Sequence, residues 1–339
     1  MEEKTPAILF GHTPVMPNVY PDSLRKEIGN EVTWLRMMDE VPAPAADDSW
    51  AGVLPEETEV IFSTWGMPRL TPQFLGSLPR LKAVFYAAGS VRGFVTDASW
   101  RRGIRIFSAA RANAVPVAEF TVAQIVLGLK QTKRHRVRTS GDWNRSEEAK
   151  LTMQGNYRTR VGLISYGSIA RLVRQKLRAF EHEVRVYDPF LTQEEADEEG
   201  IHLCSLETLF AECPVVSLHA PLLDSTRGMV RGCHFRSMHP DGLFINTSRG
   251  AIVDQDELVE VMRERPDLTA VLDVLRKEPP AEGDPVLELP NIWVYPHLAG
   301  SMGLECERMG RMIFSAFQAF RDGQDTPLEV SEGDMDRMA

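Results

Sequence analysis

Short apolar runs alternate with stretches of helical periodicity along most of the chain. Ala7 to Phe10, Val60 to Phe62, Leu81 to Phe85 and Ile104 to Phe107 have the β-branched and aromatic content of parallel strands. Between them, Pro21 to Ile28 and Pro72 to Leu78 read as crossover helices, so the first 107 or so residues predict a small α/β domain. Pro42 to Asp48 is its loosest stretch and reads as a surface loop. From Asn113 the pattern changes. Pro116 to Leu129 places Pro near a helix start and is apolar on nearly every face, which predicts a helix buried on several sides, one of them a candidate subunit interface. Lys130 to Arg138 reads as a solvated basic helix end, and Ser140 to Tyr157 as a polar excursion containing Trp143.

The strand–helix beat resumes at Val161 to Ile164. A turn follows, then Ile169, Leu172, Val173 and Leu177 at helical spacing, then a strand from His182 to Tyr187 with Val184 and Val186 in alternation. This βαβ order gives the turn a chemical meaning. Backbone N–H groups at a helix start can hold a pyrophosphate, and an acid about 20 residues on can take ribose hydroxyls, the offset at which Asp188 stands. The usual G-x-G-x-x-G/A pattern here reads Ser165-x-Gly167-x-x-Ala170. Gly167 keeps the position where the backbone approaches the pyrophosphate, Ala170 is tolerated, and Ser165 must make a tight turn with a Cβ present. On these residues alone, a dinucleotide site and an ordinary strand–helix turn stand as equal alternatives. The Gly turn Ala87 to Ser90, after the strand ending at Phe85, could offer N–H groups to an anion, although such a turn is more often only a turn.

Four later strands end in polar or ionisable residues. Val215 to Leu218 leads into His219, Ala220 and Pro221; Gly242 to Ile245 into Asn246, Thr247, Ser248 and Arg249; Leu268 to Leu272 into Asp273; Asn291 to Tyr295 into Pro296 and His297. Open α/β sheets hold their ligands at these carboxyl ends. Taken singly, Arg249 fits a surface ion pair, Glu278 a solvated loop acid and His297 a satisfied histidine. Together, beside a candidate cofactor loop, they mark a site.

Composition narrows the class. A chain of 339 residues, 43% apolar and 25% charged, suits a soluble protein of two domains. Its net charge of −10 opposes binding to nucleic acid or to an anionic membrane surface. The first residues lack an apolar signal region, and no stretch is read as reaching the roughly 20 apolar residues of a membrane helix, so a cytoplasmic location is expected. Four widely spaced cysteines without a C-x-x-C suit reduced, mostly buried thiols rather than disulfides or a metal site.

Thr247-Ser-Arg249-Gly, Leu-Asp273-Val followed five residues on by Glu278-Pro279, and Pro296-His297 resemble the signatures of the D-isomer-specific 2-hydroxyacid dehydrogenases. His219 to Leu222 with Thr226, the Gly-loop, and Val117 to Glu119 fall in the same order, so the resemblance covers roughly residues 5 to 325. Ser165 and Met302, where the family usually has Gly and Thr, depart from it. The resemblance implies an α/β fold of two doubly wound parallel-sheet domains. A Rossmann-type cofactor domain, 108–299, is inserted into a flavodoxin-like substrate domain made of 1–107 and 300–339, with the active site in the cleft. Glu305, Met309, Met312, Ile313 and Phe317 space as an amphipathic helix that could pack back on the first domain, and 331–339 read as a short acidic tail.

The implied reaction is D-isomer-specific hydride transfer between NAD(H) and a small 2-hydroxy or 2-oxo acid. Arg249 would hold the substrate carboxylate and polarise the carbonyl, since its charged fork can meet two oxygens. His297 would exchange the proton, and Glu278 would hold the imidazole and favour its protonated form. Ala88, Gly89 and Ser90 would face the substrate, the latter two offering N–H groups to its carboxylate. Ser165, Gly167, Ser168 and Ile169 would form the phosphate loop, where Ser165 either strains the turn or donates its hydroxyl to a phosphate, the second reading being slightly preferred. Asp188 would take the ribose and repel the 2′-phosphate of NADP. His219, Ala220 and Pro221 belong to the ribose and phosphate side, Thr247 and Asp273 to the nicotinamide side, and Thr226, Ser248 and Gly300 complete the cofactor set. No metal is implied, and a homodimer through the cofactor domain is. Trp65 could wall the substrate pocket or lie in an exposed loop. The rival is a non-catalytic NAD(H) sensor akin to the co-repressors related to this family, opposed weakly by the intact Arg249, Glu278 and His297 and further by the lack of a basic or low-complexity region. A methyltransferase would leave His297 with Glu278 unexplained.

Overall fold

A computed structural model describes residues 4–45, 50–132, 135, 136, 139, 141–143, 150 and 153–336. The loop expected at 42–48, the basic run at 130–138, the excursion at 140–157 and the tail at 331–339 lie partly outside the described residues. The strands, in chain order, are β1 (Thr5–Phe10), β2 (Val32–Met37), β3 (Val60–Ser63), β4 (Ala83–Tyr86), β5 (Arg105–Ser108), β6 (Tyr157–Ile164), β7 (Glu181–Tyr187), β8 (His202–Leu203), β9 (Val215–Leu218), β10 (Leu243–Asn246), β11 (Thr269–Leu272), β12 (Ile292–Val294) and β13 (Glu329–Val330). The chain forms two compact units, Met1–Ala114 with Ser301–Ala339, and Val115–Gly300.

Among the described residues the first unit has a six-stranded sheet in the order β13-β5-β4-β3-β1-β2. Its five core strands are parallel in the flavodoxin-like order, and β13 closes the β5 edge antiparallel. β3 and β4 are buried at every position, as strands covered on both faces must be. β2 has only its first residue buried; that weak apolar signal is why the sequence pattern passes over it. Phe62, Phe85 and Phe107 line up on one face of the sheet, with ring centroids 5.3 and 4.7 Å apart between neighbours. Phe317, from the helix Glu305–Arg321, meets Phe85 edge-on at 5.5 Å. Cys306, Met309, Ile313 and Phe314 of that helix join the same core, so the last helix belongs to the first domain as its spacing suggests. Trp65 is half-buried and packs against both cores of this unit.

One contact there sets a prediction. A Cβ on Gly310 would lie 2.0 Å from the Val19 carbonyl oxygen. Alanine favours a helix over glycine by ~0.8–1.0 kcal/mol, but forcing a methyl against backbone costs ~1–3 kcal/mol or more. Overpacking wins, and Gly310→Ala should lower the melting temperature by a few degrees; a raised value would show that this helix can move away without loss.

The second unit carries seven parallel strands in the order β12-β11-β10-β9-β6-β7-β8 among the described residues. This is the doubly wound dinucleotide-binding order with one strand added, and the order in which strands are laid down reverses between β6 and β9. The expected two-sheet architecture is therefore the one observed.

The long apolar helix differs from expectation. It spans Ala110–Leu129, with Pro116 inside it rather than near its start. Alanine-rich sequence before Pro116 favours helix, and that offsets the one backbone bond a proline removes. Beyond residue 117 the fully buried positions are Ala118, Thr121, Ile125 and Leu129, a single stripe, while Ala123 and Leu127 are exposed, so burial on several sides is not found within the chain. The helix is long and apolar enough to cross a membrane by length and composition alone, contrary to the reading that no stretch is. Its Ala118, Ile125 and Leu129 instead share a core with Val161 of β6 and Ile245 of β10. Of the four free cysteines, Cys213 and Cys306 are buried and Cys204 is half-buried, but Cys233 is exposed.

Candidate active site

The Gly-loop lies where β6 ends, and β9 ends beside it, its His219 N–H donating to the Ile164 carbonyl at 2.9 Å. Ser165 takes a left-handed backbone with φ of 71°, a conformation that normally selects glycine. Its hydroxyl donates to Asp188 Oδ2 at 3.3 Å rather than standing free for a phosphate. The Tyr166 N–H donates to the same oxygen at 2.7 Å, and the Phe190 N–H to Oδ1 at 2.8 Å. The helix Ser168–Leu177 begins at Gly167 without a side-chain cap. Gly167 and Ser168 are exposed, Ile169 is half-buried, and a Cβ at Gly167 would meet nothing within 4 Å. An uncapped helix start with open space above its first glycine leaves N–H groups for an anion, and an oriented carboxylate stands at the next strand end. These residues fit a dinucleotide.

At the end of β10, Asn246 holds the turn. Its Oδ1 accepts from the Ser248 N–H at 3.0 Å and its Nδ2 donates to the Arg249 carbonyl at 3.2 Å. The Ser248 hydroxyl donates to the Ala220 carbonyl, and Thr247 Oγ1 lies 3.4 Å from Thr121 Oγ1. Arg249 Nη1 donates to the Ser248 carbonyl at 2.7 Å. Burial pulls the Arg249 guanidinium below its usual range, and the charge of Glu278 opposes this; an arginine nonetheless keeps its proton. A Cβ on Gly250 would lie 1.9 Å from the Leu275 carbonyl carbon, so only glycine lets the chain after β11 pass directly against the Arg249 turn.

That chain segment carries Asp273 and Glu278. Asp273 accepts from the Leu298 N–H at 2.8 Å and the Ala299 N–H at 3.0 Å, and its carbonyl accepts from the His297 N–H at 3.0 Å. Burial raises the Asp273 carboxyl pKa, and the two N–H donors oppose the rise. The carboxylate expected to line the nicotinamide thus clamps the turn that presents His297, whose φ of 54° is also left-handed. Glu278 Oε1 accepts from the Leu275 N–H at 2.9 Å, and Oε2 meets His297 Nδ1 at 2.8 Å. One carboxylate oxygen is pinned to backbone and the other orients the imidazole, leaving Nε2 for chemistry. The side chains remain 53% exposed for His297 and 38% for Glu278. A cavity of about 370 Å³, lined also by Leu275, Pro279, Leu287, Val294 and Tyr295, adjoins the pair.

The remaining expected residues are placed less directly. The Thr226 hydroxyl donates to the Pro221 carbonyl at 2.6 Å and accepts from the Leu223 N–H at 2.8 Å, so it closes its own loop. The His219 ring is buried with neither nitrogen bonded among the described residues, and burial lowers its pKa to about 3, keeping it neutral. Gly300 is half-buried at the end of the His297 turn. In the first unit, the Ala88 N–H is used by the Tyr86 carbonyl, while the Ser108 hydroxyl donates to the Gly89 carbonyl at 2.6 Å, holding the turn that exposes Gly89 and Ser90 in part. Sequence reasoning missed Asn246 as a holder of the Arg249 turn, and the signal was a buried amide ending an apolar strand. It also missed the backbone donors of Tyr166, Phe190 and Leu275, which no side-chain identity reveals.

One edge of a Rossmann sheet thus carries a dinucleotide loop, a half-buried arginine and a carboxylate-held histidine, the equipment of an NAD-dependent oxidoreductase. The family model of the D-isomer specific 2-hydroxyacid dehydrogenase, NAD binding domain, matches residues 122–299. The provisionally named 2-hydroxyacid dehydrogenase YoaD of Bacillus subtilis (strain 168) is 30% identical over 240 residues, 69% of each chain. The chain belongs to the D-isomer specific 2-hydroxyacid dehydrogenases. D-3-phosphoglycerate dehydrogenase of Archaeoglobus fulgidus is 29% identical over 69% of this chain, an alignment that spans only 44% of that longer protein. The NAD-complexed D-isomer specific 2-hydroxyacid dehydrogenase of Lactobacillus delbrueckii ssp. bulgaricus shares the fold, with a TM-score of 0.77 and 20% identity, covering 96% of this chain and 100% of that one.

Proposed function

We propose that the chain interconverts a small D-2-hydroxy acid and its 2-oxo acid with NAD(H), using Arg249 and His297 on the substrate and Glu278 behind His297. The observation that carries this reading is the Glu278 carboxylate, fixed by the Leu275 N–H on one oxygen and bonded to His297 Nδ1 at 2.8 Å by the other. When bound, the nicotinamide supplies or accepts the hydride. In reduction the carbonyl oxygen gains negative charge and takes a proton from His297 Nε2; in oxidation Nε2 takes it back. The resulting imidazolium is stabilised by Glu278. Arg249 supplies a fixed positive charge for the carboxylate and the polarised carbonyl. Gly89 and Ser90, within their own unit, offer two N–H groups suited to a carboxylate. A homodimer through the second unit belongs to the same reading, supported by the exposed Ala123 and Leu127 on an otherwise apolar helix. A cytoplasmic location is likewise proposed, supported by the four free thiols.

The test is steady-state turnover of NADH with 2-oxo acids of increasing side-chain size, starting from glyoxylate and pyruvate. Turnover of at least one, yielding only the D-product, is expected. Binding of NADH without turnover of any would instead favour a non-catalytic sensor, a reading that the family assignment does not support.

A further inference from the structure

Ser165 is the position where this chain departs from the glycine its fold prefers, and the structure gives its hydroxyl an occupation. An ionised carboxylate offers about four lone-pair positions. On Asp188, Phe190 N–H takes one on Oδ1, while Tyr166 N–H and the Ser165 hydroxyl take both on Oδ2. The two backbone donors already fix both oxygens, at 2.8 and 2.7 Å, so the weaker 3.3 Å contact from Ser165 adds no orientation. What it does is occupy an acceptor.

We infer that Ser165 limits cofactor affinity by competing with the cofactor's ribose for Asp188, so that this chain reads the ribose diol through Oδ1 alone, where glycine would leave both oxygens open. The inference rests on Asp188 being the ribose ligand. The left-handed backbone of Ser165 is a separate matter: its strain is present with or without cofactor, so relieving it changes stability and not affinity.

Affinity for ADP-ribose, measured by titration calorimetry on the full chain, reads the competition without turnover. Removing a competing hydrogen bond should tighten binding by about threefold, at the low end for a partly exposed bond. Ser165→Ala, which keeps the strained backbone, and Ser165→Gly, which relieves it, should therefore tighten binding equally. In an Asp188→Ala background the Ser165→Ala effect should vanish. Unchanged affinity in Ser165→Ala overturns the proposal. So does weaker affinity that persists in the Asp188→Ala background, which would place the hydroxyl on a phosphate. Should Asp188→Ala alone bind ADP-ribose as well as the wild type does, the ribose reading itself fails, separately from the role of Ser165.

Discussion

Replacing His297 with alanine should lower turnover of an accepted 2-oxo acid by ~10²–10⁴-fold, the usual range for a lost general acid. The expectation follows from the way the ring is held. Its backbone N–H is fixed to the Asp273 carbonyl at 3.0 Å, the next two residues are pinned to the Asp273 carboxylate, and Nδ1 is bonded to Glu278. Only Nε2 remains to exchange a proton. Reduction consumes that proton and oxidation requires its acceptor, so any opposite pH dependence of the two directions should disappear in His297→Ala. Glu278→Gln should act more weakly. A hydrogen bond to a charged group is worth ~1.5–3 kcal/mol, and partial exposure of this pair places the loss near the lower figure, on the order of tenfold in turnover. A pH series of kcat/KM for wild type, Glu278→Gln and His297→Ala decides the matter. If His297→Ala retains most of its turnover, another group is the proton donor.

Arg249→Lys should reduce kcat/KM by ~10²-fold or more while leaving NADH binding, read by fluorescence titration, unchanged, because two charge-assisted bonds to the substrate are lost as a pair. The planar fork can meet two oxygens while its Nη1 also donates to the Ser248 carbonyl at 2.7 Å; an ammonium on a flexible stem cannot reproduce that geometry. The site is also poor at accepting a different cation. Arg249 is half-buried, its turn is set by Asn246 on both sides, and the backbone after β11 crosses against Gly250. A lysine there would bear the same burial with fewer bonds to offset it. Activity in Arg249→Lys within about threefold of wild type, well short of the loss expected for a charged bidentate contact, would remove Arg249 from the substrate.

The amino-acid sequence by itself determined the kinds of element and where most of them lie. Strands buried on both faces, such as β3, β4, β9 and β10, announce themselves as apolar runs because every position must avoid water. It also determined that strand after strand ends in polar chemistry, which singled out Arg249, Asp273 and His297 before any of them had a neighbour, while the family motif added Glu278. Where burial is partial the signal fades: β2, an edge strand, went unread, and the helix starting at Ala110 was placed at Pro116 by a local rule that its alanines overrode. Only the tertiary structure decided the strand order that sets β9 between β6 and β10, because order depends on crossovers whose pairing partners are distant in sequence. It also decided what each polar atom does. Asp273 clamps the His297 turn, the Thr226 hydroxyl closes its own loop, and Ser165 turns toward Asp188 instead of outward, because hydrogen-bond partners are chosen by proximity in space and by which lone pairs are left unfilled, neither of which residue type specifies.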